Sequence, residues 1–139
     1  MEIQGYNLPD DLYYEENHFW VRPEGDIVIM GMTDFAQNMA GKIVFVQLPE
    51  PGKVLTAGKK FAKIESGKWV GKVFAPMNGV LTASNQALDT NPGLINKDCY
   101  SGGWMYKIKP DNPADIERLM HGPEAVTAWM LAEIEKIKG

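Results

Sequence analysis

The stretch "KIESGKWVGK", residues 63–72, places a glycine and a lysine at a bend between two strand-like segments. These segments, residues 60–66 and 69–75, are rich in β-branched and aromatic residues. A tight turn between two strands projects its side chains beyond both of them, and Gly67 can adopt a positive φ without steric cost. The stretch therefore predicts a β-hairpin with Lys68 at its exposed tip.

Further short strand-like segments lie on both sides of this hairpin and are bounded by Gly, Pro or Asn. Turn signals such as "LPEPGK" and "APMNG" separate them. Many short strands with this punctuation predict a mainly β fold of the sandwich or barrel type. The predicted strands are residues 26–32, 42–48, 79–84 and 104–109, in addition to the two strands of the hairpin.

Two pairs of short segments recur in the same order along the chain. "KVLTAG" (53–58) returns as "GVLTAS" (79–84), and "GKIVF" (41–45) returns as "GKVF" (71–74). The shared order indicates a duplicated half-sheet. It predicts a pseudo-symmetric β-sandwich whose centre lies near the turn at residues 67–68.

Helical segments are predicted on both flanks of the sheet. Thr33 is suited to cap a short helix over "DFAQNMA". Near the C-terminus, Asn112 and Pro113 are typical of a helix start, and Gly122 is typical of a helix end. A last helix is predicted from about Pro123, and its apolar residues at helical spacing favour packing on the sheet.

Length and charge limit the class of protein. A chain of 139 residues is long enough for one domain with a substantial core. We expect one domain over residues 1–139, with its core at about 10–110 and a helical extension at about 112–139. The net charge of −4 argues against nucleic acid or an anionic membrane as a partner. No apolar run is long enough to span a membrane, and the acidic N-terminal segment lacks the apolar region of a secretory signal. We therefore expect a cytoplasmic protein, with monomer as the default oligomeric state.

No constellation of residues indicates catalysis or metal binding. His18 and His121 lie in separate elements, without a cysteine or carboxylate at ligand spacing. Cys99 is the only cysteine and is expected to be a small buried hydrophobe. The serines have no candidate base nearby. The sequence predicts that the chain is not an enzyme and has no metal site, which leaves Lys68 as the main functional candidate.

Five stretches follow one another along the chain: "HFWVRPEGD" (18–26), "GMTDFAQNMAGKIVFVQLPEPG" (31–52), "ESGK" (65–68), "APMNG" (75–79) and "NPGLINKDCYSGGWMYKIKP" (91–110). In these stretches, and over roughly residues 10–110, the chain resembles the lipoyl-carrying H protein of the glycine cleavage system. The resemblance implies a lipoyl/biotinyl-type β-sandwich, also called a barrel-sandwich hybrid, with C-terminal helices. It also implies that Lys68 carries lipoate as an amide, which removes the lysine charge and supplies a redox-active disulfide.

The resemblance further implies roles for the neighbours of Lys68. Glu65, Ser66 and Gly67 would present the turn to a lipoate ligase or a lipoyl or octanoyl transferase, and Trp69 would complete the attachment site. Biotin carriers present lysine on a similar hairpin, but biotinyl lysines typically lie between methionines. The neighbours of Lys68 therefore favour lipoate over biotin.

Five positions depart from the family pattern. Gly67 and Trp69 stand where the common Glu-Ser-Val-Lys-Ala has valine and alanine. Phe19 replaces the glutamate of His-Glu-Trp-Val, Phe35 replaces the histidine of Thr-Asp-His-Ala, and Lys72 occupies an acidic position. These changes disfavour the cationic aminomethyl group of glycine cleavage. Phe19, Phe35 and Trp69 would instead give a dithiolane an apolar resting surface, and Lys72 would favour an anionic sulfur adduct. Alternatively, the changes are ordinary core and surface substitutions with Lys72 fully solvated.

This combination resembles the lipoate-binding proteins of bacterial sulfur oxidation. The leading prediction is a carrier that moves sulfur intermediates or reducing equivalents for a heterodisulfide-reductase-like complex. The alternative is a glycine cleavage H protein that works with glycine decarboxylase, aminomethyltransferase and dihydrolipoyl dehydrogenase. A second alternative is an interaction domain in which Lys68 stays unmodified.

Overall fold

Two β-sheets form the body of the computed structural model, which describes residues 1–138. A separate two-stranded hairpin at the N-terminus consists of β1 (Glu2–Ile3) and β2 (Tyr6–Asn7). The six-stranded sheet contains β3 (Tyr13–Glu15), β4 (Phe19–Glu24), β5 (Ile27–Met32), β7 (Val54–Leu55), β10 (Gly79–Ser84) and β11 (Tyr106–Pro110), in the order β3-β4-β5-β11-β10-β7. The three-stranded sheet contains β6 (Ile43–Val46), β8 (Lys60–Ser66) and β9 (Val70–Phe74), in the order β6-β8-β9.

All of the strand pairs are antiparallel. The mainly β fold with flanking helices is confirmed, and all six predicted strands are present. Strands β8 and β10 have the predicted ends, and the other four differ by one or two residues at one or both ends. The repeated segments lie within single sheets. The first pair forms β7 and β10, which are hydrogen-bonded neighbours, and the second pair forms β6 and β9, which flank β8.

Strand β4 was not predicted, because its residues do not alternate between apolar and polar. Phe19, Trp20 and Val21 are all buried. Phe19 and Val21 face the cluster between the two sheets, whereas Trp20 faces a second cluster on the other side of the six-stranded sheet. A strand that is covered on both faces loses the period of two that identifies a half-exposed strand.

The second cluster lies under the C-terminal helix. Trp20 and Ile29 meet Met130 and Ile134, and the segment around Leu8 packs beside them. The two clusters therefore lie on opposite faces of the same sheet. This arrangement joins the C-terminal helix to the β-sandwich through apolar contacts.

The predicted helices after Thr33 and from Pro123 are present, and two short helices between β10 and β11 were not predicted. Helix α1 (Asp34–Ala40) begins after Thr33, whose hydroxyl accepts a hydrogen bond from the Ala36 N–H at 3.1 Å. The remaining helical elements are α2 (Ala87–Thr90), α3 (Leu94–Lys97), a 3₁₀ helix (Pro113–Arg118) and α4 (Pro123–Lys138). None of the helices in the described part of the chain is both long and apolar enough to cross a bilayer.

The segment after Asn112 differs from the prediction. The Asn112 side chain does cap it, accepting a hydrogen bond from the Ala114 N–H at 3.1 Å, but the segment is a 3₁₀ helix. It ends at Arg118 and does not continue to Gly122. The physical reason is that Met120 forms two backbone hydrogen bonds with Tyr14, at 2.8 and 3.0 Å, which require an extended backbone.

Candidate functional site

The hairpin between β8 and β9 presents Lys68 as predicted. The Ser66 N–H donates to the Trp69 carbonyl at 2.8 Å and closes the turn, so Gly67 and Lys68 occupy its two central positions. The Lys68 side chain is exposed to solvent. The buried Ser66 hydroxyl accepts a hydrogen bond from the Lys68 N–H at 3.3 Å, which holds the bend from within.

The expected use of Gly67 was wrong. Its φ does not lie in the left-handed region, although six other glycines among the described residues do. A methyl group built at Gly67 would meet no heavy atom within 4 Å. The turn instead depends on the Ser66 side chain, which bonds the backbone two residues on, as in a serine turn.

The Lys68 side chain lies against Gly41, which caps the C-terminus of α1. A Cβ built at Gly41 would lie 3.2 Å from Lys68 Cε and 3.8 Å from its Nζ. Gly41 has φ 79°, and its N–H donates to the Gln37 carbonyl at 3.1 Å. Asn96 holds this loop, since its side chain donates to the Gly41 carbonyl at 2.8 Å and accepts from the Ile43 N–H at 2.9 Å.

Gly41 and Asn96 were missed at the sequence level. Neither lies near Lys68 in the chain, and glycine after a short helix usually indicates only a helix end. Both residues lie in the stretches that resemble the H protein, but their residue types do not indicate that they meet beside the hairpin tip.

An apolar groove of about 520 Å³ opens beside the hairpin. It runs between β9, which is an edge strand, and the facing ends of β4, β5 and α1. The predicted resting-surface residues Phe19, Phe35, Trp69 and Lys72 all line it. Phe19 and Phe35 are largely buried in its wall, whereas the Trp69 ring is 41% exposed. The remaining lining residues are Asn17, His18, Met32, Ala36, Met39, Ala40, Val70, Gly71 and Phe74.

The position of the Trp69 ring depends on Gly71, two residues later in the chain. A Cβ built at Gly71 would overlap the Trp69 ring. The indole therefore lies flat along the strand, where a side chain at position 71 would otherwise stand. This places an aromatic surface next to Lys68 at the entrance of the groove.

No carboxylate lines the groove among the described residues, and Lys72 and His18 are its titratable side chains. His18 Nε2 lies 2.8 Å from Glu133 Oε1, so Glu133 lies behind the imidazole. Burial lowers the pKa of His18 below its usual value, against the opposing effect of Glu133. At neutral pH, Lys72 is then the charged group of the groove lining.

Glu65 lies on β8, the strand of the hairpin further from the groove, and does not line the groove. Its carboxylate forms an ion pair with Lys63 Nζ at 3.3 Å, and both side chains are partly exposed. The predicted attachment-site residues 65–69 therefore lie together around the tip, while Phe19, Phe35 and Lys72 lie along the adjoining groove.

Within residues 1–138, no group of three or more His, Cys, Asp or Glu side chains is arranged to hold a metal ion. Cys99 is buried, as predicted, and burial raises the pKa of its thiol to about 12. At neutral pH this thiol stays protonated and is a poor nucleophile.

Comparison with known proteins assigns the chain to a family. The family model described as "Glycine cleavage H-protein" matches residues 12–131. The glycine cleavage system H protein of Acinetobacter baumannii is 44% identical over 118 residues, which cover 85% of this chain and 95% of that protein. The H protein of Bacteroides fragilis is 44% identical over 114 residues, covering 82% and 90% of the two chains.

A solved structure agrees with this result. The crystal structure of a glycine cleavage system H protein from Mycobacterium marinum superposes with a TM-score of 0.70 at 35% sequence identity, covering 75% of this chain and 87% of that one. The predicted lipoyl-type sandwich is thereby confirmed, together with the predicted family resemblance. The chain belongs to the glycine cleavage H-protein family, whose members are non-catalytic carriers of a lipoyl group attached to a lysine.

Proposed function

We propose that Lys68 is the lipoyl attachment site and that the chain is a monomeric cytoplasmic carrier that visits several enzymes. The observation that supports this most directly is the exposed lysine at a hairpin tip, beside an apolar groove, in an H-protein fold. Glu65, Ser66 and Gly67 would present the turn to a lipoate ligase or a lipoyl or octanoyl transferase. A lysine at the end of a rigid hairpin is accessible to such an enzyme without unfolding.

The residues beside Lys68 fit a lipoyl group. When attached, the group supplies a cyclic disulfide that is reduced to a dithiol and reoxidised. The Trp69 ring, Phe35 and Met39 offer apolar surface to the hydrocarbon chain and to sulfur. Gly41 leaves room for the lysine stem where any other residue would place a Cβ.

The comparisons favour glycine cleavage as the pathway. The relatives described above are all glycine cleavage system H proteins. None of these relatives supports the sulfur-oxidising role that the sequence led us to prefer. The partners are then those of the glycine cleavage system, expected to be glycine decarboxylase, aminomethyltransferase and dihydrolipoyl dehydrogenase.

The lining of the groove favours a second candidate, a carrier for a sulfur-oxidising heterodisulfide-reductase-like complex. No carboxylate lines the groove among the described residues, and Lys72 stands at its rim. A cation placed in contact with Lys72 meets a repulsion on the order of 1–4 kcal/mol, depending on the local dielectric. A neutral or anionic group meets no such repulsion.

Attachment at Lys68 is tested by incubating the purified protein with lipoate, ATP and a purified lipoate ligase, followed by intact-mass and peptide mass spectrometry. We expect one lipoyl group on the wild-type protein and none on Lys68→Arg. Lys109→Arg, which changes an exposed lysine on the six-stranded sheet, serves as the control and should be modified normally. Modification at another lysine in Lys68→Arg would refute the assignment of the site.

The two pathways are separated by adding glycine and glycine decarboxylase to the lipoylated protein and measuring carbon dioxide release. Release at the rate of an established H protein assigns the chain to glycine cleavage and removes the second candidate. If the groove charge opposes the aminomethyl group, Lys72→Glu should raise kcat/KM about tenfold, equivalent to about 1.4 kcal/mol. No release from fully lipoylated protein, together with exchange with the sulfur-oxidising complex, would select the second candidate.

A further inference from the structure

The positive charges of the chain are concentrated in the segment that builds the hairpin. Residues 42–72 contain seven lysines and two glutamates, whereas the rest of the chain contains seven basic and sixteen acidic residues. The segment thus has a net charge of +5 in a protein whose total is −4. Four of these lysines, Lys60, Lys63, Lys68 and Lys72, lie on the β8–β9 hairpin itself.

Part of this charge lies on the solvent side of the three-stranded sheet. Glu65 on β8 pairs with Phe45 on β6 and with Val70 on β9, so these three residues lie side by side across the sheet. Two positions further from the tip, Lys63 on β8 pairs with Lys72 on β9. Ile64, between Lys63 and Glu65, points to the core. We call this surface the outer face and define it by Val44, Phe45, Lys63, Glu65, Val70 and Lys72.

The outer face exposes apolar side chains to solvent. Val44, Phe45 and Val70 are 53%, 43% and 66% exposed. Lys63 Nζ lies 5.7 Å from the centre of the Phe45 ring and also pairs with Glu65. Exposed aromatic and aliphatic side chains bordered by charges are typical of surfaces that bind other proteins.

The position of the outer face relates it to Lys68. Val70 is two residues from Lys68, and the row of Lys63 and Lys72 is about 13 Å from the tip at the rise of a β-strand. A standard interface covers about 800 Å² on each partner, which corresponds to a radius of about 16 Å. An enzyme centred on the tip therefore covers the outer face if it approaches from that side.

We propose that the outer face is the docking surface for the enzyme that acylates Lys68, and that this enzyme presents acidic groups around an apolar patch. The inference rests on the proposed function of Lys68. Lys63 and Lys72 would meet the acidic groups, and Phe45 and Val70 would fill the apolar patch. Nucleic acid and anionic lipid also favour basic surfaces, but the negative charge of the rest of the molecule opposes them.

The test measures acylation kinetics with purified lipoate ligase, lipoate and ATP, using intact mass as the readout. The variant is Phe45→Thr combined with Lys63→Gln, because neither residue lines the groove. The control is Val54→Thr combined with Lys109→Gln, which likewise replaces one exposed apolar residue by Thr and one exposed lysine by Gln, but on the six-stranded sheet. Far-UV circular dichroism and urea midpoints establish that both variants are folded.

We expect the outer-face variant to lose about tenfold in kcat/KM for the acceptor protein, with kcat nearly unchanged and the control unaffected. Acylation of the wild type should slow as salt is raised from about 0.05 to about 0.5 M, and the variant should respond less. Equal kcat/KM for the wild type and the outer-face variant would overturn the docking proposal while leaving Lys68 as the site. No acylation of the wild type would overturn both proposals.

Binding of the wild type to phosphatidylglycerol vesicles or single-stranded RNA at about 0.15 M salt provides a further outcome. If the outer-face variant loses that binding but keeps its acylation kinetics, the surface binds a different class of partner and the proposed occupant is wrong.

Discussion

Two glycines lie next to Lys68, one preceding it in the chain and one beside its side chain. Gly41 has φ 79° and ends α1, and a Cβ there would press on Lys68 Cε. Gly67 has no left-handed φ and open space around its Cα. An L-residue is strained at the first position and tolerated at the second.

We therefore predict that Gly41→Ala lowers the free energy of unfolding by about 1 kcal/mol, while Gly67→Ala leaves it within about 0.5 kcal/mol. Urea unfolding monitored by tryptophan fluorescence measures both. The two variants should also differ in the rate of Lys68 acylation, because only the methyl group at position 41 displaces the Lys68 side chain. Equal destabilisation by the two changes would contradict this account of the turn.

His18 is one of two non-glycine residues with a positive φ in the described part of the chain, and its φ is 73°. Its ring centroid lies 4.7 Å from those of Trp129 and Phe35, so it joins α4 to the wall of the groove. Burial lowers its pKa, opposed by the hydrogen bond and charge of Glu133. The unfolded chain, in which the pKa is ordinary, therefore takes up a proton at higher pH than the folded protein does.

Because the folded protein binds this proton less readily than the unfolded chain, lowering the pH destabilises the fold. The contribution of His18 to stability is complete above about pH 6.5 and is lost as the pH falls toward the lowered pKa of the folded state. We predict that the stability of His18→Asn falls less than that of the wild type between about pH 8 and about pH 5.5. Asn is chosen because it tolerates positive φ. Burial also raises the pKa of Glu15, which makes the folded protein more stable, relative to the unfolded chain, as the pH falls. Glu15 is present in both proteins, so its contribution cancels when their stabilities are compared.

Parallel stability curves for the two proteins would show that His18 does not titrate differently on folding. The absolute loss of stability in the variant is not the test, since Asn also removes ring contacts at every pH. Only the difference in slope between the two curves of stability against pH reports proton uptake by His18.

At the scale of elements, α4 shows how a surface helix becomes part of the core. Met130 and Leu131 are adjacent in sequence, but Met130 is fully buried in the second cluster and Leu131 is 44% exposed. Consecutive residues of an α-helix point in different directions, so Met130 faces the sheet while Leu131 faces solvent. The predicted packing of this helix on the sheet is confirmed by the contacts of Val126, Met130 and Ile134.

We predict that Met130→Ala lowers the free energy of unfolding by about 2–5 kcal/mol, because it leaves a cavity against Trp20 and its neighbours. Leu131→Ala is the matched control and should change it by less than about 0.5 kcal/mol. Urea denaturation of both variants provides the measurement. A loss below about 1 kcal/mol at Met130 would mean that α4 contributes little to the fold.

At the scale of the whole molecule, the six-stranded sheet is shared by both apolar clusters. Phe19 and Val21 belong to one cluster, and Trp20, between them, belongs to the other. Disrupting either cluster exposes one face of the same strand. We therefore propose that residues 1–139 fold as one domain, with the core and the C-terminal extension unfolding together.

This proposal predicts a single transition in urea, with coincident curves from far-UV circular dichroism and tryptophan fluorescence. Three of the four tryptophans, Trp20, Trp104 and Trp129, lie in the second cluster or pack against it, so the fluorescence reports mainly the part of the molecule under α4. Loss of fluorescence at lower urea than the loss of β-structure would show instead that the extension unfolds as a separate unit.

The sequence by itself determined the features that depend on local pattern. Strand-like segments bounded by turn residues predicted the hairpin, and Lys68 had to lie at its tip because both flanking strands end there. The caps Thr33 and Asn112 were likewise local and were predicted correctly. The order of the matching stretches was enough to indicate the family.

Only the tertiary structure decided what surrounds Lys68. Phe19 and Phe35 are 49 and 33 positions before it in the chain, and they reach the groove because β4 and α1 pack toward the edge of β9. Gly41 and Asn96 meet beside the lysine through hydrogen bonds between distant loops. Such contacts depend on how the sheets and helices pack together, and no residue pattern within one segment contains that information.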